Sequence, residues 1–222
     1  MHPFLQLMLN TMTNSAANDL LLKKNCDMAV GPRMNEQLRA IYITRKYQRK
    51  EWADTEPVPD PFEAILKKDH LKLFHALNFG RCDEQLDSLL PLHAAASFGD
   101  PLLMAITASC SDVLDVQDIN GWTPLCYAAF YENVEIVKFL LDFGSQPDSS
   151  GIDLFTLVVK INNDELNKIL LPKLQYKGNN KVFIPRSVKF APEDKKNRLQ
   201  IDIDSETQAL AKSLSDSYYN NI

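Results

Sequence analysis

The residues best suited to metal or nucleophile chemistry are four histidines and four cysteines, and their spacing speaks against both uses. His70 and His75 are five apart, whereas a helical metal pair needs i, i+4. His2 and His93 add no further ligand pattern. Cys26, Cys82, Cys110 and Cys126 form no CxxC pair, and structural zinc sites are built from closely spaced pairs. Reduced, mostly buried thiols are the expectation. Ser109-Cys110-Ser111-Asp112 lacks the glycines that a nucleophile elbow needs for its sharp turn. No GxSxG, phosphate-binding loop or dinucleotide fingerprint occurs. No catalytic residue, no metal ligand and no cofactor is therefore expected in this chain.

The elements that would position any site are bounded by composition. The chain has 222 residues and 45% hydrophobic content, enough for one or two domains with a buried core. A net charge of -5 argues against nucleic acid as a partner. No apolar stretch approaches the ~20 residues of a membrane span. The start, Met1 to Leu9, lacks a basic region and a full apolar core of a signal peptide, so a cytoplasmic location is expected. Charge is uneven. Residues 21–50 hold eight basic side chains against Asp27 and Glu36, while residues 51–121 hold four against thirteen acids. Such asymmetry suggests two units. Thr55-Glu56-Pro57-Val58-Pro59-Asp60-Pro61 reads as a stiff connector between them, placed at 51–60.

A repeat is present downstream. Thr123-Pro124-Leu125-Cys126-Tyr127-Ala128-Ala129 is followed by the amphipathic run Asn133 to Gly144. Thirty-three residues upstream of the first segment lies Leu90-Pro91-Leu92-His93-Ala94-Ala95-Ala96. Pro in the first helical turn costs no hydrogen bond, and Thr123 is placed to cap that helix. Asn120-Gly121 supplies turn chemistry. The segments resemble the ankyrin opening T-P-L-H-x-A-A, and 33 is the ankyrin period. Weaker copies flank them at Phe62 to Leu77 and Gly151 to Leu171. About four helical pairs, two of them degenerate, are expected over 61–172. His93 then has the structural role of hydrogen-bonding between repeats.

Residues 1–50 carry two further motifs. Thr13-Asn14-Ser15-Ala16-Ala17-Asn18 resembles the G-N-x-x-A-N stretch of Arf GTPase-activating domains. Tyr42-Ile43-Thr44-Arg45-Lys46-Tyr47 resembles their later W-I-R-A-K-Y helix. One family of these proteins places ankyrin repeats directly after the domain. The fold class that the resemblances imply is all-α, an ankyrin-repeat solenoid preceded by a helical, truncated Arf-GAP-domain remnant at 1–50. In that family a four-cysteine zinc finger and an arginine perform the GTPase-activating step. An arginine finger is worth roughly 10³–10⁵ in hydrolysis rate. Arg33, Arg39, Arg45 and Arg49 lie past the family's position, so none inherits the role. Zinc is expected only with an upstream finger, and an Arf-family GTPase is a partner only of a full-length protein.

The expected function is the protein-interaction portion of an Arf GTPase-activating protein of membrane traffic, not competent in catalysis by itself. The alternative is a standalone ankyrin adaptor or scaffold. The expected protein-binding residues on the ankyrin face are Gln117, Asp118, Asn120, Trp122, Tyr127 and Tyr131. Trp122 fits equally a role in packing on the preceding turn. Asp112, Asp115 and Asp118 at the turn tips would favour a basic partner. Arg39, Arg45, Lys46, Arg49 and Lys50 form a basic patch. It reads either as the solvated face of a capping helix or as a contact for an anionic membrane surface, with peripheral localisation. The tail, 173–222, is expected to be mostly disordered. A short helix would start at Ser205, with Leu210, Leu214 and Tyr218 on one face.

Overall fold

A computed structural model describes residues 2–22, 24, 26–28, 31, 34–53, 57–80, 83, 85–86, 89–178, 190–191 and 205–219. Among them the chain is helical, with one isolated bridge between Leu86 and Leu89. Four helical pairs form a stack. They are α4 (Pro61–Leu66) with α5 (His70–Asn78), α6 (Pro91–Phe98) with α7 (Pro101–Ser109), α8 (Pro124–Phe130) with α9 (Val134–Asp142), and α10 (Leu154–Ile161) with α11 (Asp164–Leu170). First helices pack on first helices and second helices on second helices. Ahead of the stack come α1 (Pro3–Thr11), α2 (Asn14–Leu21) and α3 (Glu36–Ile43), and α12 (Ser205–Tyr219) follows it.

Local chemistry sets each boundary. Proline opens α4, α6, α7 and α8, where its missing N–H would be unpaired in any case. Side-chain caps precede the helices. Thr123 accepts from Cys126 N, Asp100 from Leu102 N and Leu103 N, Asp153 from Thr156 N, and Asn163 from Glu165 N and Leu166 N. Between the helices of each pair one residue takes the left-handed conformation: Lys68, Gly99, Glu132 and Asn162. The next residue is always Asp or Asn. That reversal lets a short helix fold back on its partner.

The core runs the length of the stack, from Ile65 and Leu73 through Leu103, Ile106, Leu125, Phe139 and Leu140 to Leu157 and Leu166. Paired alanines (Ala94, Ala95, Ala128, Ala129) are wholly buried and permit close approach of the first helices.

Two further pieces cover the stack. Helix α1 packs on α7, with Phe4 stacked 5.2 Å from Phe139 of α9. Helix α12 packs on α10. The connector expected at 51–60 is in part core: Trp52 and Ala53 are buried, because the indole closes the small N-terminal unit. Residues 54–56 lie outside the described residues. The expected helix at Ser205 forms, but its buried side is Thr207, Ala211 and Ser215. Leu210 is exposed, Leu214 is half-buried, and the side chain of Tyr218 lies outside the described residues. Disorder expected over 179–189 and 192–204 also lies outside them.

Candidate protein-binding surface

The turn between the second and third pairs is built around one carboxylate. Asp118 Oδ1 accepts from Asn120 N at 2.8 Å and Trp122 N at 2.9 Å, and its Oδ2 accepts from Tyr127 Oη at 2.7 Å. Asp118 N also donates to Trp122 O, and Gly121 N to Asp118 O, which closes a tight turn. Burial and the neighbouring carboxylate push the Tyr127 hydroxyl far above its ordinary pKa, so it stays a donor. His93 ties the same turn to the second pair. Its Nδ1 accepts from Leu90 N at 3.1 Å, so Nε2 carries the proton and donates to Val116 O at 2.9 Å.

This network decides the fate of the expected binding residues. Asp118, Trp122, Tyr127 and Tyr131 are buried in the stack and present nothing to a partner. Asp118 turns inward because three donors need its carboxylate oxygens, and Tyr127 follows it. Trp122 packs on Tyr127 and Phe130, the packing role among its two readings. Asn120 is half-buried, and Gln117 is exposed while donating to Ser149 O of the next turn. Of the three tip acids only Asp112 is exposed. Asp115 accepts from Ser145 Oγ and Gln146 N.

Two tip residues outside the sequence reading are the conspicuous ones. Ile119 is 64% exposed and Val113 57% exposed, the two most exposed large hydrophobic residues described. Ile119 occupies a corner of the Asp118–Gly121 turn, a position that points away from the stack. A β-branched side chain beside Asn-Gly was the signal for it, since such corners are ordinarily polar. Val113 borders an open groove of about 410 Å³ lined by Leu90, Leu92, Cys110, Asp112 and Val116, with Asp83 at its edge. Its lining is mixed, with Asp83, Ser111 and Asp112 beside the apolar side chains.

The basic patch is mostly consumed within the N-terminal unit. Arg45 pairs with Asp27 at 3.1 Å and with Glu51, and lies 4.7 Å over the Trp52 ring. The Arg45 hydrogen bonds hold both carboxylates below their ordinary pKa and raise that of the guanidinium. Lys46 is buried and donates to Asn18 Oδ1. Lys50 lies 4.9 Å over Phe79, just past α5. Arg39 and Arg49 are exposed, with Arg39 donating to Met34 O and Arg49 3.5 Å from Glu51. Five cations in sequence therefore give two exposed ones, because Arg45 meets Asp27, Glu51 and Trp52, Lys46 meets Asn18, and Lys50 lies over Phe79.

Among the described residues no group of three or more His, Cys, Asp or Glu could hold a metal ion, and no helix is long and apolar enough to cross a membrane.

Comparison with known proteins agrees with the stack. Residues 62–151 match the family described as ankyrin repeats, in three copies. The chain is 26% identical over 132 residues to ankyrin repeat family A protein 2 of Homo sapiens, covering 60% of this chain and 38% of that protein. It is 30% identical over 154 residues to the transient receptor potential cation channel subfamily A member 1 of Homo sapiens, covering 62% of this chain and 14% of that protein. It is 29% identical over 112 residues to ankyrin repeat and SOCS box protein 2 of Bos taurus, covering 49% of this chain and 18% of that protein. The chain thus spans well under half the length of these relatives. Three copies of one motif and the stacked helical pairs give the same answer: residues 62–151 are ankyrin repeats, and the chain is an all-α solenoid built on them.

Proposed function

We propose that this chain is an ankyrin adaptor that docks a partner protein at its turn tips. The observation that carries the reading is the exposure of Ile119 and Val113 at two turn tips, with Val113 bordering a mixed apolar and acidic groove lined also by Asp112 and Asp83. Such a surface fits a partner segment with an apolar anchor and a basic flank. Ankyrin repeats are protein-interaction modules, and with Trp122, Tyr127 and Tyr131 buried, Ile119 and Val113 are the most exposed large apolar residues described in the repeats. The test is quantitative affinity purification of the chain beside Ile119→Asp and Val113→Asp. Proteins held by the parent should be lost from both variants, with melting temperatures unchanged. An identical set of captured proteins would remove the tips from consideration.

A second reading is that the array belongs to an Arf GTPase-activating protein of membrane traffic. It is favoured by one contact: the two motifs that resemble that domain meet, through Lys46 donating to Asn18. The family match lies wholly outside residues 1–50, so the adaptor reading stands first. An antibody to the array, used to purify the endogenous protein, separates the two. Bound zinc and a mass well above 25.2 kDa favour the GTPase activator, and a zinc-free 25.2 kDa chain favours the adaptor.

A further inference from the structure

Asn120-Gly121 is the one Asn-Gly step in the sequence, and it sits in the turn that joins the second and third pairs. An Asn followed by Gly is open to attack by its own backbone. The Gly nitrogen loses its proton and bonds to the Asn Cγ, the Cγ–Nδ2 bond breaks, and ammonia leaves. Water then opens the cyclic imide at either carbonyl. The product is Asp, or an iso-aspartate whose backbone runs through Cβ and Cγ. Water is the only co-reactant. Glycine favours the step because no Cβ crowds the attacking nitrogen.

This turn cannot dispense with the glycine. Gly121 has φ +81°, in the left-handed region, and a Cβ on it would lie 2.8 Å from the Cα of Gly151. Gly151 N in turn donates to Gly121 O at 2.8 Å, which ties this turn to the next. The fold therefore keeps the residue that makes Asn120 vulnerable.

The same turn restrains the backbone on both sides of the reacting bond. Gly121 N, the nucleophile, donates its hydrogen to Asp118 O at 3.0 Å. Asn120 N and Trp122 N are both held by Asp118 Oδ1, at 2.8 Å and 2.9 Å. The Asn120 amide lies toward the other oxygen, with Nδ2 3.5 Å from Asp118 Oδ2. Attack requires Gly121 N to give up its hydrogen bond and the Asn120 amide to leave Asp118 and swing onto that nitrogen.

We propose that Asn120-Gly121 is a gated, self-acting modification site: the turn closed by Asp118 blocks deamidation, and the product, once formed, keeps the turn from closing again. Conversion to Asp puts a carboxylate where the amide lay beside Asp118 Oδ2, and like charges at that range repel. Conversion to iso-aspartate lengthens the backbone between Asp118 and Trp122 by one atom. That stretch is spanned twice, by Asp118 N donating to Trp122 O and by Trp122 N donating to Asp118 Oδ1, and the longer link does not fit both. Asp118 also accepts from Tyr127 of α8, so its displacement reaches the third pair. This inference goes beyond the adaptor reading and stands whether or not the turn tips bind a partner.

Peptide mass mapping of the full chain, kept folded or unfolded in urea at the same mildly alkaline pH, tests the gate. Asn120 should convert at least about 100-fold more slowly in the folded chain, since the turn must open first. Equal rates would mean that the turn is no gate, and the inference fails. Tyr127→Phe removes one donor to Asp118 and keeps the ring. Checked as folded by its melting curve, it should convert Asn120 several-fold faster than the parent. A folded variant converting at the parent's rate overturns Asp118 as the gate. The iso-aspartyl form of the parent, separated by chromatography, needs no variant and tests the product. Its Trp122 amide should exchange hydrogen several-fold faster than in the unconverted chain. An unchanged Trp122 amide would mean that the turn closes over the product, and it overturns the inference.

Discussion

His93 shows how one side chain can be structural and still leave a signature in solution. Burial disfavours its cationic form and lowers its pKa from 6.5, opposed by the Val116 carbonyl, Asp118 and the backbone of Trp122. The neutral ring is also what the geometry needs, since Nδ1 must accept from Leu90 N. In the unfolded chain the ring takes up a proton below about pH 6.5. The folded chain then binds fewer protons than the unfolded one, so stability is complete above that pH and falls below it. Stability at pH 5.5 should therefore be lower than at pH 7.5. The carboxylates with lowered pKa, Asp27, Glu51, Glu63 and Asp69, titrate below this window. Urea midpoints at the two pH values would show the drop, and His93→Gln should flatten it. A midpoint that does not move between pH 7.5 and 5.5 would remove the buried neutral histidine from the account.

At the scale of the element, the connections between pairs carry more than the motif reveals. Asn133 stands where the other second helices have a side-chain cap. It instead donates to Ala96 O at 2.8 Å and Ser97 O at 2.9 Å, carbonyls at the end of α6. Gly99 makes room for it: a Cβ there would lie 2.6 Å from Asn133 Oδ1, and its φ is +79°. Asn163, which does cap its own helix, also reaches back one pair by donating to the Glu132 carboxylate. Asn133→Ala should cost about 1–3 kcal/mol, since it strands two half-buried carbonyls. Differential scanning calorimetry would register it, and a variant as stable as the parent would mean that water replaces the amide. The 33-residue recurrence and the proline starts made these helices legible in the sequence, because both follow from local backbone chemistry. Asp118 was read as a surface acid, since nothing in its neighbours shows that three backbone and side-chain donors converge on it. Ile119 was passed over for a related reason. Exposure at a turn corner is a property of the folded turn. Lys46 and Arg45 looked like surface charge until Trp52 and Asp27, distant in sequence, closed on them.

Across the whole molecule, described pieces from each end of the chain pack on the stack. Helix α1 lies on α7, with Phe4 on Phe139 of α9, and α12 lies on α10. Without α1 the outer side of α7, buried from Leu102 to Ala108, would face water. Phe4 is the anchor. It stacks on Phe139, with the His2 ring 4.9 Å from the same Phe139 and His2 Nε2 3.7 Å from Asp142. Leu5 and Met8 are half-buried against the same core, while Leu7 and Leu9 are exposed. Removing the ring should loosen α1 without loss of the array. Phe4→Ala should cost about 1–2 kcal/mol, below the 3–5 typical of a fully buried Phe, because the ring is half-buried. For a chain of this size that lowers the melting temperature by roughly 2–8 °C. Chymotrypsin should then cut within α1 much faster while the product from α4 onward persists. If cleavage in α1 stays slow, the helix is held by more than Phe4. If the whole array is degraded instead, α1 is part of the folding unit, and the solenoid begins at Pro3 rather than at Pro61.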